Sequence, residues 1–118
     1  MRVCALVVTY RPQPELLAGV LAALAPQVAQ VLVLDNASPG PADAIGDPPR
    51  LEGASPGAPN IRFHRCRHNR GLAWTQNLGA RWAWRRGFDA VLTMDQDSVA
   101  EPGMVAALMA VATGPAAN

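Results

Sequence analysis

The run VCALVVT, at residues 3–9, places the strongest constraint on what this chain can fold into. The run carries no charge and is rich in β-branched residues, which favours a strand. Because apolar residues follow one another without alternation, such a strand must be covered on both faces. The run therefore predicts a parallel sheet with helices on both sides, rather than an antiparallel sheet with one face open to solvent.

Three further segments have the composition of strands. They are residues 31–35 (VLVLD), 61–67 (IRFHRCR) and 89–94 (DAVLTM). The first and last are apolar and predict buried strands, whereas the middle one alternates and is expected nearer the sheet edge. Helices are predicted over residues 14–25, 72–86 and 102–112. The order β-α-β-loop-β-α-β-α predicts an α/β fold with an open, mainly parallel, Rossmann-like sheet of about four strands flanked by helices.

Local signals mark the ends and the faces of these helices. Pro102 suits the first turn of the last helix, and Gly87 suits the position just after the second. In the second helix Trp74, Leu78 and Trp82 recur every four residues. Side chains at this spacing share one helix face, so these three are predicted to pack into the core.

Length, charge and apolar content restrict the class of protein. With 118 residues, 50% hydrophobic, the chain is expected to form a single domain over residues 1–118. A loop rich in Pro and Gly is predicted over residues 37–60. The net charge of +1 gives no field that would attract nucleic acid or an anionic membrane. The longest apolar segment, residues 16–25, is shorter than the roughly 20 residues that span a membrane, so a cytoplasmic protein is expected.

Polar side chains follow every predicted strand. They are Thr9, Tyr10 and Arg11 after the first strand, Asp35 and Asn36 after the second, His68, Asn69, Arg70 and Gly71 after the third, and Asp95, Gln96 and Asp97 after the fourth. In a parallel sheet these strand ends meet at one edge, and ligands bind in the crevice beyond that edge. The sequence therefore predicts a binding site there.

Asp95 and Asp97 form a D-x-D pair at the end of the fourth strand. If the chain stays extended, residues two apart point to the same side, so both carboxylates are predicted to face each other at the mouth of the sheet. Like charges at such a distance call for a cation. Mg²⁺ or Mn²⁺ fits, because such ions accept one or two carboxylates and complete their shell with water and phosphate oxygens.

Two of the polar positions allow a purely structural alternative. Asp35 could cap a turn with Asn36 and Ser38, since Asp side chains often bond the backbone of the next residues. Asn77 lies one turn into a helix, where it either faces solvent or turns toward the strand ends.

Other titratable residues are given structural interpretations. The arginines within residues 62–70 are expected to form mostly a solvated edge. His64 and His68 do not lie on a convincing helix, which argues against a metal pair. Cys4 and Cys66 fit no metal-binding spacing and are expected to be reduced, buried thiols, while a disulfide between them stays open.

Together these residues resemble the nucleotide-sugar-binding half of inverting, family-two glycosyltransferases of the GT-A fold. The matching segments are VVTYRP (7–12), LVLDNAS (32–38), NRGLAWTQNLGARWA (69–83) and VLTMDQDS (91–98). The form DQDS, preceded by NRGLAWTQN, is most similar to the rhamnosyltransferase branch, which uses dTDP-L-rhamnose. The resemblance covers nearly the whole chain.

The resemblance implies roles for the polar strand ends. The residues expected around the nucleotide are Thr9, Tyr10, Arg11, Asp35, Asn36, Asn69, Arg70, Gly71, Asn77 and Asp95. Asp35 would accept a hydrogen bond from the pyrimidine N3–H, and Gly71 would allow close approach of the backbone. Asp97, together with Asp95, would coordinate the Mg²⁺ or Mn²⁺ that bridges the diphosphate and stabilises its departure.

The implied activity is transfer of a sugar from a dTDP- or UDP-sugar to a carbohydrate or lipid-linked acceptor of a cell-surface polysaccharide, in the cytoplasm or at the inner face of the plasma membrane. Many relatives carry Arg in place of Gln76, which puts one diphosphate contact in doubt. Residues 104–118 contain no Asp, Glu or His, so no catalytic base is identified after the D-x-D pair. The chain is therefore expected to be a truncated domain that binds the donor and does not transfer sugar by itself. An uncovered sheet edge would favour a homo-oligomer.

Two other functions remain open. A sugar-phosphate nucleotidyltransferase shares an α/β nucleotide-binding half, but it usually has a Gly-rich loop after the first strand, and residues 9–15 contain no glycine. A non-catalytic nucleotide-binding α/β module is the second alternative.

Overall fold

The computed structural model describes residues 1–39 and 60–114 of the chain. In this part the elements are strands β1 (Val3–Thr9), β2 (Gln30–Asp35), β3 (Ile61–Arg65) and β4 (Ala90–Met94), and helices α1 (Pro14–Leu24), α2 (Leu72–Arg85) and α3 (Met104–Thr113). A 3₁₀ turn, Ala25–Gln27, continues α1. The predicted alternation of strands and helices is confirmed. Most of the loop predicted over residues 37–60 lies outside the described residues.

The strands of the described part form one parallel sheet with the order β3-β2-β1-β4. The central strands β1 and β2 are almost entirely buried, as their unbroken apolar sequences predict. In register, Thr9 lies beside Asp35, and Asp35 lies beside Arg65. The carboxyl ends of all these strands therefore meet at one edge, which confirms the predicted α/β fold.

Alternate residues of the central strands supply two apolar layers. On one face, Ala5, Val7, Val31 and Val33 pack with the buried side of α1. On the opposite face, Cys4, Leu6, Leu32 and Leu34 pack with Ala83 of α2 and with Phe88. A strand with one helix-covered layer on each face must be apolar at every position, which explains the uninterrupted run at residues 3–9.

Helix α2 contacts the sheet through small side chains, not through the predicted tryptophan stripe. Its buried residues are Thr75, Gly79 and Ala83, one position further along the chain than the stripe. Trp74 is 44% exposed, and Trp82 is only partly buried. The stripe prediction was wrong for Trp74, whereas Trp82 packs against the margin of the buried layer. Small residues let the helix backbone approach the sheet, and the bulky side chains on the adjacent face are left at this margin.

Two further expectations need correction. Strand β4 is not a buried strand, because it lies at the edge of the described sheet and exposes Val91 and Thr93. The last helix does not begin at Pro102, since Gly103, with φ 83°, precedes its first residue, Met104. Cys4 and Cys66 are both buried free thiols, as expected.

Candidate functional site

The site is centred on a buried carboxylate at the end of β2. Asp35 is 4% exposed and accepts a hydrogen bond of 2.7 Å from the hydroxyl of Thr9, its register partner on β1. Its Oδ1 also accepts from the Ser38 hydroxyl at 2.7 Å, and its Oδ2 accepts from the Ser38 N–H at 2.9 Å. The carboxylate therefore holds the turn that follows β2, as the structural interpretation expects, while its contact with a nucleotide stays a prediction.

A guanidinium offsets the charge of this buried carboxylate. Arg65, at the end of β3, places Nε 4.0 Å from Asp35 Oδ2 and donates from Nη2 to the Ser38 carbonyl at 2.6 Å. A buried carboxylate needs such a partner, because removing its charge from water costs several kcal/mol. Arg65 was expected to be solvated with the other arginines of its strand. Its role follows from strand register, which sequence spacing does not reveal.

Two residues at these strand ends adopt left-handed backbone conformations without being glycine. Arg11 has φ 47° and Ala37 has φ 60°. Each costs about 1–2 kcal/mol relative to a right-handed conformation and persists only when neighbouring bonds impose it. One of these bonds is visible, since the Arg11 N–H donates to Ser38 Oγ at 2.8 Å. Ser38 thus ties the loop after β1 to the turn after β2.

Asn36 links the same two strand ends to α2. Its N–H donates to the Thr9 carbonyl at 2.7 Å, and its Oδ1 lies 3.1 Å from the hydroxyl of Thr75. Both side chains are buried. Thr75 was not among the predicted site residues. It belongs to the site because α2 approaches the sheet so closely at this point.

The turn between β3 and α2 is exposed and organised by its own residues. Asn69 Oδ1 accepts a hydrogen bond of 2.9 Å from the Gly71 N–H. Gly71 has φ 89°, a conformation that side chains disfavour. The Arg70 guanidinium lies 5.0 Å from the centre of the Trp74 ring, within the range of a cation–π contact.

The D-x-D pair does not have the predicted extended geometry. β4 ends at Met94, and Gln96 and Asp97 form a turn in which the Ser98 N–H donates to the Asp95 carbonyl at 3.3 Å. Two-residue strand periodicity therefore does not apply to these carboxylates, and the argument from extended backbone was wrong. Both carboxylates are exposed, and neither has a hydrogen-bond or ion-pair partner among the described residues.

The sequence model of the family described as Glycosyl transferase family 2 matches residues 4–117. The chain belongs to glycosyltransferase family 2. The match confirms the resemblance to the family-two GT-A domain, while the rhamnosyltransferase-like character stays a prediction. No curated protein shows a significant match to the chain.

In this family-two domain the candidate residues separate into connected and isolated sets. The connected set comprises Thr9, Arg11, Asp35 and Asn36, which hydrogen bonds join directly or through Ser38 at the ends of β1 and β2. Tyr10 bonds instead to Gln96, after β4. Asn77 takes the solvent-facing alternative, since it is exposed and its side chain makes no hydrogen bond with any described residue. The side chain of Gln76 is likewise without a hydrogen bond in the described part of the chain.

The donor atoms of the family-two domain suit a hard divalent ion. Among residues 1–39 and 60–114, no three His, Cys, Asp or Glu side chains are grouped to form a complete metal site. Mg²⁺ needs no such group when substrate phosphates and water supply most of its shell. The free carboxylates of Asp95 and Asp97 fit this mode, and His64 and His68 lie outside any such group.

A concave region of the family-two domain, separate from the Asp35 cluster, is lined by residues of β2, β3 and α2. It has a volume of about 300 Å³ and a floor formed by Leu32 and Leu34, with Leu78, Trp82 and Arg62 around it. Its lining contains no carboxylate, so the metal chemistry expected of the D-x-D pair does not belong there. In the described part, no helix is both long and apolar enough to cross a membrane.

Proposed function

We propose that the chain is the donor-binding portion of a metal-dependent, inverting glycosyltransferase that takes a pyrimidine-nucleotide sugar, with dTDP-L-rhamnose as the candidate donor and a polysaccharide or lipid-linked saccharide as acceptor. One observation carries the proposal. In a family-two chain, the Asp35 cluster and the unpartnered carboxylates Asp95 and Asp97 follow β2 and β4, which flank β1 at the same sheet edge.

The strand order sets the distance between the Asp35 cluster and the Asp95–Asp97 turn. Neighbouring strands are about 4.8 Å apart, so the ends of β2 and β4 are separated by about 10 Å across β1. A nucleotide laid across the edge would span this distance with its base toward β2 and its diphosphate toward β4. The loop after β1, with Tyr10 and Arg11, would then lie under the ribose.

At the base end, Asp35 has one role in the fold and a second one available. An ionised carboxylate offers about four acceptor positions, and the donors from Thr9 and Ser38 use three of them. The remaining position suits the N3–H of uracil or thymine. Adenine has no ring N–H on its pairing edge, and the N1–H of guanine lies further from the ribose than the N3–H of a pyrimidine does, so the proposal favours pyrimidine nucleotides.

At the diphosphate end, Asp97 and Asp95 would hold Mg²⁺ or Mn²⁺, which supplies Lewis-acid stabilisation of the departing nucleoside diphosphate. Arg70 is also exposed, but it lies on the turn after β3, beyond β2 and therefore at the base end of this arrangement. An inverting displacement also requires a base for the acceptor hydroxyl. Residues 104–118 contain no Asp, Glu or His, so we assign that role to no residue of this segment and propose donor binding as the activity to be tested.

Calorimetric titration tests the proposal. The chain is titrated with dTDP, UDP and GDP, each with and without Mn²⁺. We expect the pyrimidine nucleotides to bind more tightly than GDP, and their binding to depend on the metal. Asp97→Ala should abolish the metal-dependent part of the affinity.

Glu101→Ala is the matched control, since it removes an exposed carboxylate from the same connection without touching the D-x-D turn. It should bind as the wild type does. Equal affinity for GDP and dTDP would contradict the assignment of Asp35 to base recognition. Full affinity in Asp97→Ala would contradict the metal assignment.

A further inference from the structure

The side chain of Gln96, the middle residue of the D-x-D turn, pairs with the backbone of a different strand end. Its Oε1 accepts a hydrogen bond from the Tyr10 N–H at 2.8 Å, and its Nε2 donates to the Tyr10 carbonyl at 3.2 Å. The amide of Gln96 thus gives the Tyr10 backbone one acceptor and one donor, as the backbone of a neighbouring strand would. The regular pairing of β1 with β4 ends at Val7 and Met94, so Gln96 extends the connection beyond the strands.

The loop after β1 is held from its other side as well. Ser38 Oγ accepts from the Arg11 N–H and donates to the Asp35 carboxylate. Hydrogen bonds and consecutive residues therefore form one path from Asp35 through Ser38, Arg11 and Tyr10 to Gln96. This path runs across the ends of three adjacent strands, β2, β1 and β4.

We propose that Gln96 is a positioning residue that fixes the Asp95 and Asp97 carboxylates relative to the nucleoside end of the donor site. The inference rests on the proposed function, because it concerns the same site. Gln96 is covalently joined to both aspartates, so the bonds to Tyr10 restrict the turn that carries them. Without these bonds, an exposed turn would have to be ordered when the metal and diphosphate bind, and the cost of ordering would lower the affinity.

The chemistry of the clamp requires an amide of this length. Tyr10 presents one donor and one acceptor, and a Gln side chain is complementary to both. A Glu carboxylate accepts from the N–H but cannot donate to the carbonyl. Met has a similar length and offers neither strong donor nor strong acceptor, so Gln96→Met removes both bonds with little change in size.

Amide hydrogen exchange and nucleotide titration, applied to the same variants, test the inference. In Gln96→Met, exchange of the Tyr10 amide should accelerate by roughly tenfold or more, because each hydrogen bond contributes on the order of 1 kcal/mol. The gain in dTDP affinity that Mn²⁺ provides should fall by about tenfold, while the affinity without metal should change by less than about twofold. Gln96→Glu should keep the protection of the Tyr10 amide and lose part of the Mn²⁺-dependent gain.

Gln27→Met is the matched control. Gln27 is another clamping glutamine, which donates to the carbonyls of Ala23 and Glu101 and accepts from the Val105 N–H. These contacts lie at the end of α1, outside the candidate site. The control should lower the free energy of unfolding and leave both Tyr10 exchange and the Mn²⁺-dependent gain unchanged.

The possible results distinguish failure of the Gln96 role from failure of the proposed donor binding. Unchanged Tyr10 exchange in Gln96→Met would show that the clamp does not form. Faster exchange with a full Mn²⁺-dependent gain would show that the clamp does not position the aspartates. If Gln96→Met does not fold, a full gain in Gln96→Glu overturns the inference. If the wild-type chain binds no pyrimidine nucleotide, the proposed function is refuted, and the role of Gln96 in that site is refuted with it. Protection of the Tyr10 amide in the same chain would then show that the hydrogen bonds to Gln96 form and that only the proposed function is wrong.

Discussion

Replacing Gly79 with alanine sets two known effects of opposite sign against each other. In a helix interior, alanine is more favourable than glycine by about 1 kcal/mol. At Gly79, however, a Cβ would lie 2.8 Å from Leu34 Cδ1 and 3.0 Å from both Cδ atoms of Leu6. Contacts below 3.0 Å require a neighbour to move, and both leucines are buried within the core beneath α2.

Overpacking of this kind costs about 1–3 kcal/mol. Setting this cost against the gain in helix propensity, we expect Gly79→Ala to lower the free energy of unfolding by about 1 kcal/mol. Displacement of α2 would also lengthen the contact between Thr75 and Asn36, so nucleotide affinity should fall with stability. Urea denaturation followed by circular dichroism measures the first effect, and calorimetry measures the second.

Gly19→Ala provides the matched control. Gly19 is exposed within α1, and a Cβ there would meet only Val99 Cγ2 at 4.0 Å, an ordinary contact. The same substitution should therefore raise the free energy of unfolding by about 1 kcal/mol. If Gly79→Ala stabilises the chain as much as Gly19→Ala does, the close packing of α2 against the sheet is refuted.

Three further perturbations address the site and the core. Asp35→Ala should lower the free energy of unfolding by about 3 kcal/mol and abolish nucleotide binding, because three buried donors lose their acceptor. A loss of less than about 1 kcal/mol, measured by urea denaturation, would contradict the buried hydrogen-bond cluster around Asp35. Thr75→Val should cost about 1–2 kcal/mol, since Asn36 Oδ1 loses its only hydroxyl donor among the described residues. Burial raises the pKa of the Cys4 thiol from 9.0 to about 11. Between about pH 9 and 11 the unfolded chain therefore binds fewer protons than the folded chain. The free energy of unfolding should fall by up to about 2–3 kcal/mol as the pH rises through this range. Cys4→Ala should make this slope shallower in denaturation experiments at several pH values. The remaining slope reflects Cys66, whose pKa is also raised, chiefly by burial.

The fold was predictable because the central strands are apolar at almost every position. Apolar side chains at consecutive positions of residues 3–9 and 31–35 leave no face for solvent, so helices on both sides follow. The position of β4 was not predictable by the same reasoning. Residues 90–94 also carry no charge and are mostly apolar, yet β4 lies at the edge of the described sheet, because strand order depends on long-range pairing that local composition does not encode.

The site was predictable in its location but not in its connections. Polar residues after each strand indicated the correct edge of the sheet. The turn partner Ser38 was identified from the sequence as well, since a hydroxyl three residues after Asp35 is a common turn spacing. Arg65 contacts Asp35 because of the register between β3 and β2, and Gln96 contacts Tyr10 because of the path of the turn after β4. Neither contact could have been identified from the spacing of residues in the sequence.

The two halves of the proposed donor site differ in what holds them in place, and the difference explains how two adjacent aspartates are tolerated. Asp35 is buried and surrounded by Thr9, Ser38 and Arg65, so its position is fixed without a ligand. Asp95 and Asp97 lie on an exposed turn, where repulsion between two carboxylates in water is on the order of 1 kcal/mol. At the end of a buried strand the same pair would repel several times more strongly. The edge position of β4 therefore lets the chain keep both charges free, and Gln96 supplies the order that burial would otherwise provide.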